Sequence, residues 1–285
     1  MIGGGVGGWE PGEWTDDTQM AICIAEEAAT GTLEPTAVAS RFLSWYRSDP
    51  ADVGTQTRAV LARADGPTDL APLAVRYFEL HPNAAAGNGS LMRTAPVALA
   101  ALGDDDALVE LATSISALTH ADPLAGEACV LWCVAIDRTI RDGTFDGVRA
   151  GLEALRPDRR RYWAERFEEA AAGPPSRFNP NGFVVSALQA ALSSIWHTPV
   201  PQNDACRHLV DALHTAVRVG DDTDTVAAIA GSLLGARWGA SAIPADWRRL
   251  LHGWPRYKAE DLVRLAMLSI RRSDGSSATL PEVGV

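Results

Sequence analysis

Two short runs of threonine and aspartate hold most of the chemistry this chain offers. Thr15-Asp16-Asp17-Thr18 lies near the start, and Asp221-Asp222-Thr223-Asp224-Thr225 far downstream. Each opens an apolar run, Gln19 through Ala25 in the first case and Val226 through Ala230 in the second. The pattern predicts two helices, each beginning with a knot of hard oxygen ligands. Carboxylates crowded this closely repel one another unless a cation sits between them, and hard oxygens suit Mg2+, Ca2+ or Mn2+. A fold that brings the two helix starts together would make a two-metal site of the kind that supports hydrolysis. Capping is the competing reading, because Thr and Asp are favoured N-caps and first-turn acids complement the helix dipole. A cap needs one side-chain oxygen, however, and each cluster offers several. Metal binding is the better account of the pair.

Helical periodicity dominates the elements that must position these clusters, and alternating β-type runs are scarce. Helices are expected near 17–30, 35–47, 56–63, 69–81, 89–101, 105–119 and 124–141. Others follow near 146–155, 158–171, 183–196, 203–218, 224–238 and 258–270. Alanine is abundant within them, and Gly31, Pro123, Gly143, Pro174-Pro175 and Pro244 punctuate the gaps. The expectation is a compact all-α domain in which the charged segment 142–181 is peripheral. No repeat or domain linker stands out, and the Ser/Gly/Pro-containing tail from Ser273 is expected to be flexible.

The 285 residues suffice for one large domain or two small ones. A net charge of -11 argues against a general nucleic-acid or anionic-membrane binder. Cys23, Cys129, Cys133 and Cys206 show no C-x-x-C spacing. Cys129 and Cys133 are expected to pack as small hydrophobes, which suits a reducing compartment. With no signal-like start and no spanning segment, a cytoplasmic protein is expected.

Four motifs then carry a resemblance. Gly12 through Ala21 resembles the first signature of the ADP-ribosylglycohydrolases, the group typified by dinitrogenase reductase-activating glycohydrolase. Gly87-Asn88-Gly89-Ser90-Leu91-Met92-Arg93 is similar to their second motif, and Thr119-His120-Ala121-Asp122-Pro123 to a third. Asp222 through Gly231, continuing to Ile243-Pro244, resembles the closing signature. The motifs keep the family's order over about residues 3 to 247. The resemblance implies an all-α, single-domain orthogonal helical bundle over residues 1–272 with a two-metal cleft, leaving 273–285 as the tail. Its cofactors would be two Mg2+, with Mn2+ an alternative. Thr15, Asp16 and Asp17 would ligate from one helix start, and Asp222, Asp224 and Thr225 from the other. Asp221 stands where the family more often has glycine or a small polar residue.

Such enzymes free ADP-ribose from arginine, serine or related conjugates, so the implied partners are ADP-ribose and ADP-ribosylated proteins or small molecules. Asp16 and Asp17 are the candidates for charge stabilisation and water activation; no general acid stands out. Gly87, Asn88, Gly89 and Ser90 would seat a pyrophosphate at the start of a helix, beside Met92. His120 and Asp122 would contact ribose or phosphate, unless they merely end one helix and cap the next. Gly182 and Phe183 match the place where relatives lay an aromatic ring on adenine. Trp9 and the preceding glycines would form a flap over the substrate. Gly54-Thr55-Gln56-Thr57-Arg58 also looks family-like, without an assignable role. The other histidines, His81, His197, His208, His214 and His252, read as surface or cap residues.

Family members usually begin with a further helix bearing a Gly-Asp-Ala-x-Gly motif, which this sequence lacks. Its loss would uncover apolar surface near the metals and leave a catalytically impaired ADP-ribose binder or crystallin-like protein as the alternative. A monomer is the expected state.

Overall fold

In the computed structural model, residues 2–5 and 7–270 are described, and the tail expected over 273–285 lies outside them. The chain runs through α1 (Asp16–Ala28), α2 (Pro35–Arg47), α3 (Thr55–Leu61), α4 (Leu70–Leu80), α5 (Ala95–Ala100) and α6 (Asp105–Ala117). It continues through α7 (Pro123–Asp142), α8 (Pro157–Ala172), α9 (Val184–Trp196), α10 (His208–Val217), α11 (Thr223–Trp238), α12 (Ala245–Leu250) and α13 (Ala259–Ser269). Between α12 and α13, β1 (His252–Gly253) and β2 (Tyr257–Lys258) form a two-stranded antiparallel hairpin. The single all-α domain expected from the sequence is what forms. No helix among the described residues is long and apolar enough to cross a membrane.

α7 is the axis of the core. It begins at Pro123, whose fixed φ suits a first helical position, behind an Asp122 side chain that accepts from the Leu124 N–H at 2.9 Å. Trp132, Cys129 and Cys133 are buried along it, the cysteines as small hydrophobes. α7 packs against α5, α6, α9 and α11, and α11 in turn packs on α1. The two helices that begin with acidic clusters are therefore direct neighbours. Alanine and serine along α9 (Ala187, Ala190, Ala191, Ser193, Ser194) are buried and let its neighbours approach closely. Trp45, also buried, donates its indole N–H to Gln19 Oε1 at 2.7 Å, and Gln19 Nε2 donates to the Trp14 carbonyl. This satisfies the polar end of a large side chain and ties down the residue before Thr15.

Several expectations are corrected. The helix expected over 89–101 is broken: Asn88–Ser90 is one 3-10 turn, and α5 starts only at Ala95. Pro96 lacks an N–H and starts a helix here instead of continuing one. The 146–155 segment winds as a 3-10 helix over Asp146–Ala154, where Gly147 and Gly151 weaken α propensity. The segment 203–218 becomes a 3-10 turn, Ala205–Arg207, followed by α10. The 142–181 region is not peripheral, because α8 buries Trp163 and Phe167 and packs on α9. His208 is neither surface nor cap; it is buried, in hydrogen-bond contact with the Ile195 carbonyl and the Trp238 indole. α12 and the hairpin had no sequence signal, being too short to show a period.

That hairpin sets the approach to the first cluster. His252 N–H donates to the Gly12 carbonyl, Trp14 N–H donates to the His252 carbonyl, and Trp14 Nε1 donates to the Trp254 carbonyl, all within 3.1 Å. The glycine-rich start folds into its own turn through paired Gly4 and Trp9 hydrogen bonds, and Gly8 adjoins the hairpin. Gly12 has φ +87, and a Cβ there would sit 2.2 Å from the Leu250 carbonyl oxygen. Gly12→Ala is expected to lower stability by about 1–3 kcal/mol, through both the strained backbone and the clash. A denaturant midpoint equal to the parent's would show that this junction is not rigid.

Candidate functional site

Folding brings the acidic starts of α1 and α11 to one cleft of about 400 Å³. Asp16 reaches it from α1, and Asp222, Asp224 and Thr225 from the start of α11. The wall facing them is built from the loop before α3, with Asp52, and from Gln56 and Thr57 in its first turn. Gly87, Asn88, Gly89 and Met92 line a further side, joined by His120 and Gly182.

The remaining candidates sit elsewhere. Thr15 and Asp17 stand behind the lining: the Thr15 hydroxyl donates to Asp17 Oδ2 at 2.6 Å, while the buried Asp17 Oδ1 has no partner. Ser90 is buried beneath the cleft and hydrogen-bonded to Ser116 and Cys129, so it is a packing residue. Asp122 is committed to capping α7 and faces a second depression that backs onto His120. Phe183 is exposed at the N-cap of α9, bridged to Gly87 through the backbone, and does not line the cleft. The expected nest of free N–H groups at Gly87–Ser90 is smaller than the sequence suggested, since Asn88 N–H is taken by the Gly182 carbonyl. The glycine-rich segment with Trp9 contributes none of the lining residues, so no flap lies over the cleft among the described residues.

Like charges in partly buried surroundings dominate the electrostatics. Burial, then the Asp52 charge, pushes the Asp16 carboxyl up to about 7, with Asp224 and Asp222 adding to the rise and the Gly54 backbone opposing it. Asp17 lies well above the usual carboxylate range, through burial first and then the Asp16 and Asp224 charges. Asp222 is also raised by burial, although hydrogen bonds from Asn88 and Thr225 oppose it. Burial, and the Arg93 charge after it, hold His120 well below the ordinary imidazole value.

Among the described residues, no three His, Cys, Asp or Glu side chains stand at the spacing of a ready-made metal site. The acidic groups nonetheless act on one another across the cleft, and the orphaned Asp17 Oδ1 is a buried acceptor lacking any donor. Threonine hydroxyls and waters commonly complete the shell of a hard cation, so the donor set present fits Mg2+ or Mn2+.

Two residues at the site carried no readable signal. One is Asp52, two residues before the family-like run that begins at Gly54. Asn181 is fully buried and binds the second cluster on several sides: its side-chain oxygen accepts from Asp222 N–H at 3.0 Å, and its amide donates to the Gly220 carbonyl. Its own N–H donates to Asp221 Oδ2 at 3.1 Å. Asn88 Nδ2 links the two parts, donating to Asp222 Oδ2 at 2.7 Å and to the Asn181 carbonyl at 3.1 Å. Asp221, at φ +62, thus holds the turn rather than facing the cleft.

Comparison with known proteins points one way. The ADP-ribosylglycohydrolase family profile matches residues 1–275. The chain is 30% identical over 250 residues to the ADP-ribosyl-[dinitrogen reductase] glycohydrolase of Rhodospirillum rubrum, covering 87% of this chain and 76% of that protein. It is 28% identical over 258 residues to the ADP-ribosylarginine hydrolase Tri1 of Pseudomonas putida (strain GB-1), covering 87% of this chain. The chain spans 64% of that protein's length, and 65% of its Serratia proteamaculans counterpart. A solved structure titled ADP-ribosylglycohydrolase-related protein complex superposes with a TM-score of 0.70 at 29% identity, covering 95% of this chain and 86% of that one.

Two outcomes follow from the geometry. Asn181→Ala strips a partner from the Asp222 N–H and from the Gly220 carbonyl, so it is expected to cost about 1–3 kcal/mol of stability and to weaken Mg2+ binding about 10–100-fold. An unchanged cation affinity would remove Asn181 from the site. The second concerns pH. A carboxyl raised on folding binds its proton more tightly in the native state, so its contribution is full below about 4 and is lost as pH rises through about 7. Chelated protein should therefore melt higher at about pH 5 than at about pH 8, with Mg2+ shrinking the difference. A melting temperature that rises steadily with pH in chelator would contradict it.

Proposed function

The chain belongs to the ADP-ribosylglycohydrolase family, and from that membership we propose that it hydrolyses ADP-ribose from an ADP-ribosylated acceptor with divalent cations bound in its cleft. The observation that carries the reading is the convergence of both Thr/Asp clusters on one cleft backed by an unpartnered carboxylate oxygen. Arginine is the acceptor the surroundings favour. A guanidinium leaving group is cationic, and Asp52 and Asp224 are exposed acids at the cleft. Relatives named for ADP-ribosylarginine agree with that choice.

Thr15, Asp16, Asp17, Asp222, Asp224 and Thr225 are the residues that would hold Mg2+ or Mn2+. Bound there, such a cation supplies Lewis-acid polarisation of ribose hydroxyls and a lowered pKa for a coordinated water. The chain's own residues do the rest. Asp16, which reaches the cleft from the start of α1, is placed to take a proton from the attacking water. The C–N bond to the acceptor breaks as the C–O bond from water forms, and one water proton passes to the departing nitrogen. Positive charge on the sugar is steadied by the remaining carboxylates. Asp52 lies near Asp16 at the cleft, where its charge can hold the cationic acceptor beside the reacting bond.

Purified protein should release ADP-ribose from ADP-ribosylarginine with Mg2+ and stop on chelation. Asp224→Ala is expected to fold normally and lose at least about 100-fold in rate. Undiminished release in chelator would refute the cation requirement. Binding of ADP-ribose without release from arginine-, serine- or nucleotide-linked substrates would favour a binding protein instead.

A further inference from the structure

Thr119 joins three polar side chains while itself fully buried. Arg93 Nη2 donates to its hydroxyl at 2.7 Å, and that hydroxyl lies 2.7 Å from His120 Nδ1. Its backbone carbonyl accepts from Gln56 Nε2 at 3.0 Å. Arginine can only donate, so the Arg93 contact occupies a lone pair of the hydroxyl. The hydroxyl proton then needs an acceptor, because a buried donor left unpaired is costly. Nδ1 is the acceptor within reach. The ring nitrogen facing Thr119 is therefore bare, and the imidazole proton sits on Nε2.

Gln56 is fixed by the same residue. Turning its amide over would set Oε1 against the Thr119 carbonyl, oxygen on oxygen. With its NH2 held there, Oε1 is left buried and without a partner. The two free atoms surround one small volume. A Cβ built on Gly87 would lie 3.4 Å from His120 Nε2 and 3.5 Å from Gln56 Oε1, and both residues line the cleft. A donor and an acceptor around one point are the complement of a hydroxyl group, which accepts and donates at once.

We propose that His120 Nε2–H and Gln56 Oε1 form a recognition point for one ribose hydroxyl of the ligand, with Thr119 and Arg93 as positioning residues that set its polarity. The inference deepens the ADP-ribosyl reading above and rests on it for the ligand. Packing alone does not account for Arg93. Its guanidinium lies over the Phe42 ring at 4.4 Å and against Met20 Sδ, which an apolar side chain would also fill. It forms no ion pair within 4.0 Å among the described residues, and its Nε is unpartnered. What an apolar side chain could not do is donate to Thr119. Burial brings the Arg93 group only down to about 10, so it remains a charged donor at neutral pH.

Long-range 1H–15N correlation spectra of the histidine rings in the full chain test the polarity directly. His120 should show a protonated Nε2 and a bare Nδ1, unchanged in Thr119→Ser and shifted to mixed tautomers in Thr119→Val and Arg93→Met. Calorimetric titration of ADP-ribose and of its deoxy analogues then tests recognition. Gln56→Leu and Thr119→Val should each bind ADP-ribose about tenfold more weakly, and this loss should vanish for the one analogue that lacks the recognised hydroxyl. A protonated Nδ1 in the parent protein, or an equal loss for every analogue, would overturn the proposal. The expected tautomer together with no ADP-ribose binding by the parent would instead overturn the ligand reading and leave the polarity standing.

Discussion

Repulsion among carboxylates gathered in a half-buried cleft is the constraint on which the rest of this structure depends. Asp16, Asp17 and Asp222 are all raised from the ordinary carboxylate value, and burial is the largest cause in each. Two unit charges 4 Å apart repel by about 4 kcal/mol at an effective dielectric near 20. Protonation relieves that repulsion, and so does a bound cation. A protein that kept its site protonated would have no use for so many acids in one place. Under the proposed cation-dependent reading, the arrangement is a scaffold held open against its own repulsion until a hard cation neutralises it.

Holding it open falls to neutral partners. Thr15 fastens Asp17, Asn88 and Thr225 fasten Asp222, and Asn181 wraps the turn that presents Asp222. None of these brings a charge of its own, so each can sit beside a carboxylate without consuming the ligand a cation needs. The hairpin between α12 and α13 does similar work at longer range. By gripping Gly12 and Trp14 it fixes the direction in which the chain enters α1. Packing of α1 against α11, which itself lies on α7, then brings the two acidic starts together.

The sequence was most legible where chemistry and structure share a short window. The acidic helix starts, the apolar runs behind them and the proline that begins α7 are all patterns within a few residues. Contacts across the fold left no such trace. Asn181 meets Asp222 from 41 positions away, Gln56 meets Thr119 from 63, and Asn88 meets Asp222 from 134. Asp52 is one exposed aspartate among many until folding sets it opposite Asp16. Ser90 misled in the other direction: it sits in a motif that looks chemical and spends its hydroxyl under the cleft. Asp122 takes the capping role that was one of its two sequence readings, through Oδ1. A motif marks which stretches matter, while only the fold decides which of its atoms face a ligand.

Arg93 shows how local stability and site geometry can pull apart. A buried charge without a carboxylate partner is expensive, and replacing such groups with well-packed apolar residues is often neutral or stabilising. Stability alone therefore does not explain why a guanidinium occupies this position. Direction does. A hydroxyl or amide in its place could both give and accept, and would leave the Thr119 proton free to point either way. A lysine shifts its pKa readily once buried and so risks losing its charge. Arginine is the side chain that donates, never accepts, and stays charged in a dry interior. Placed there, it turns a flexible chain of hydroxyl and imidazole into one with a single sense, ending in a proton that faces the cleft.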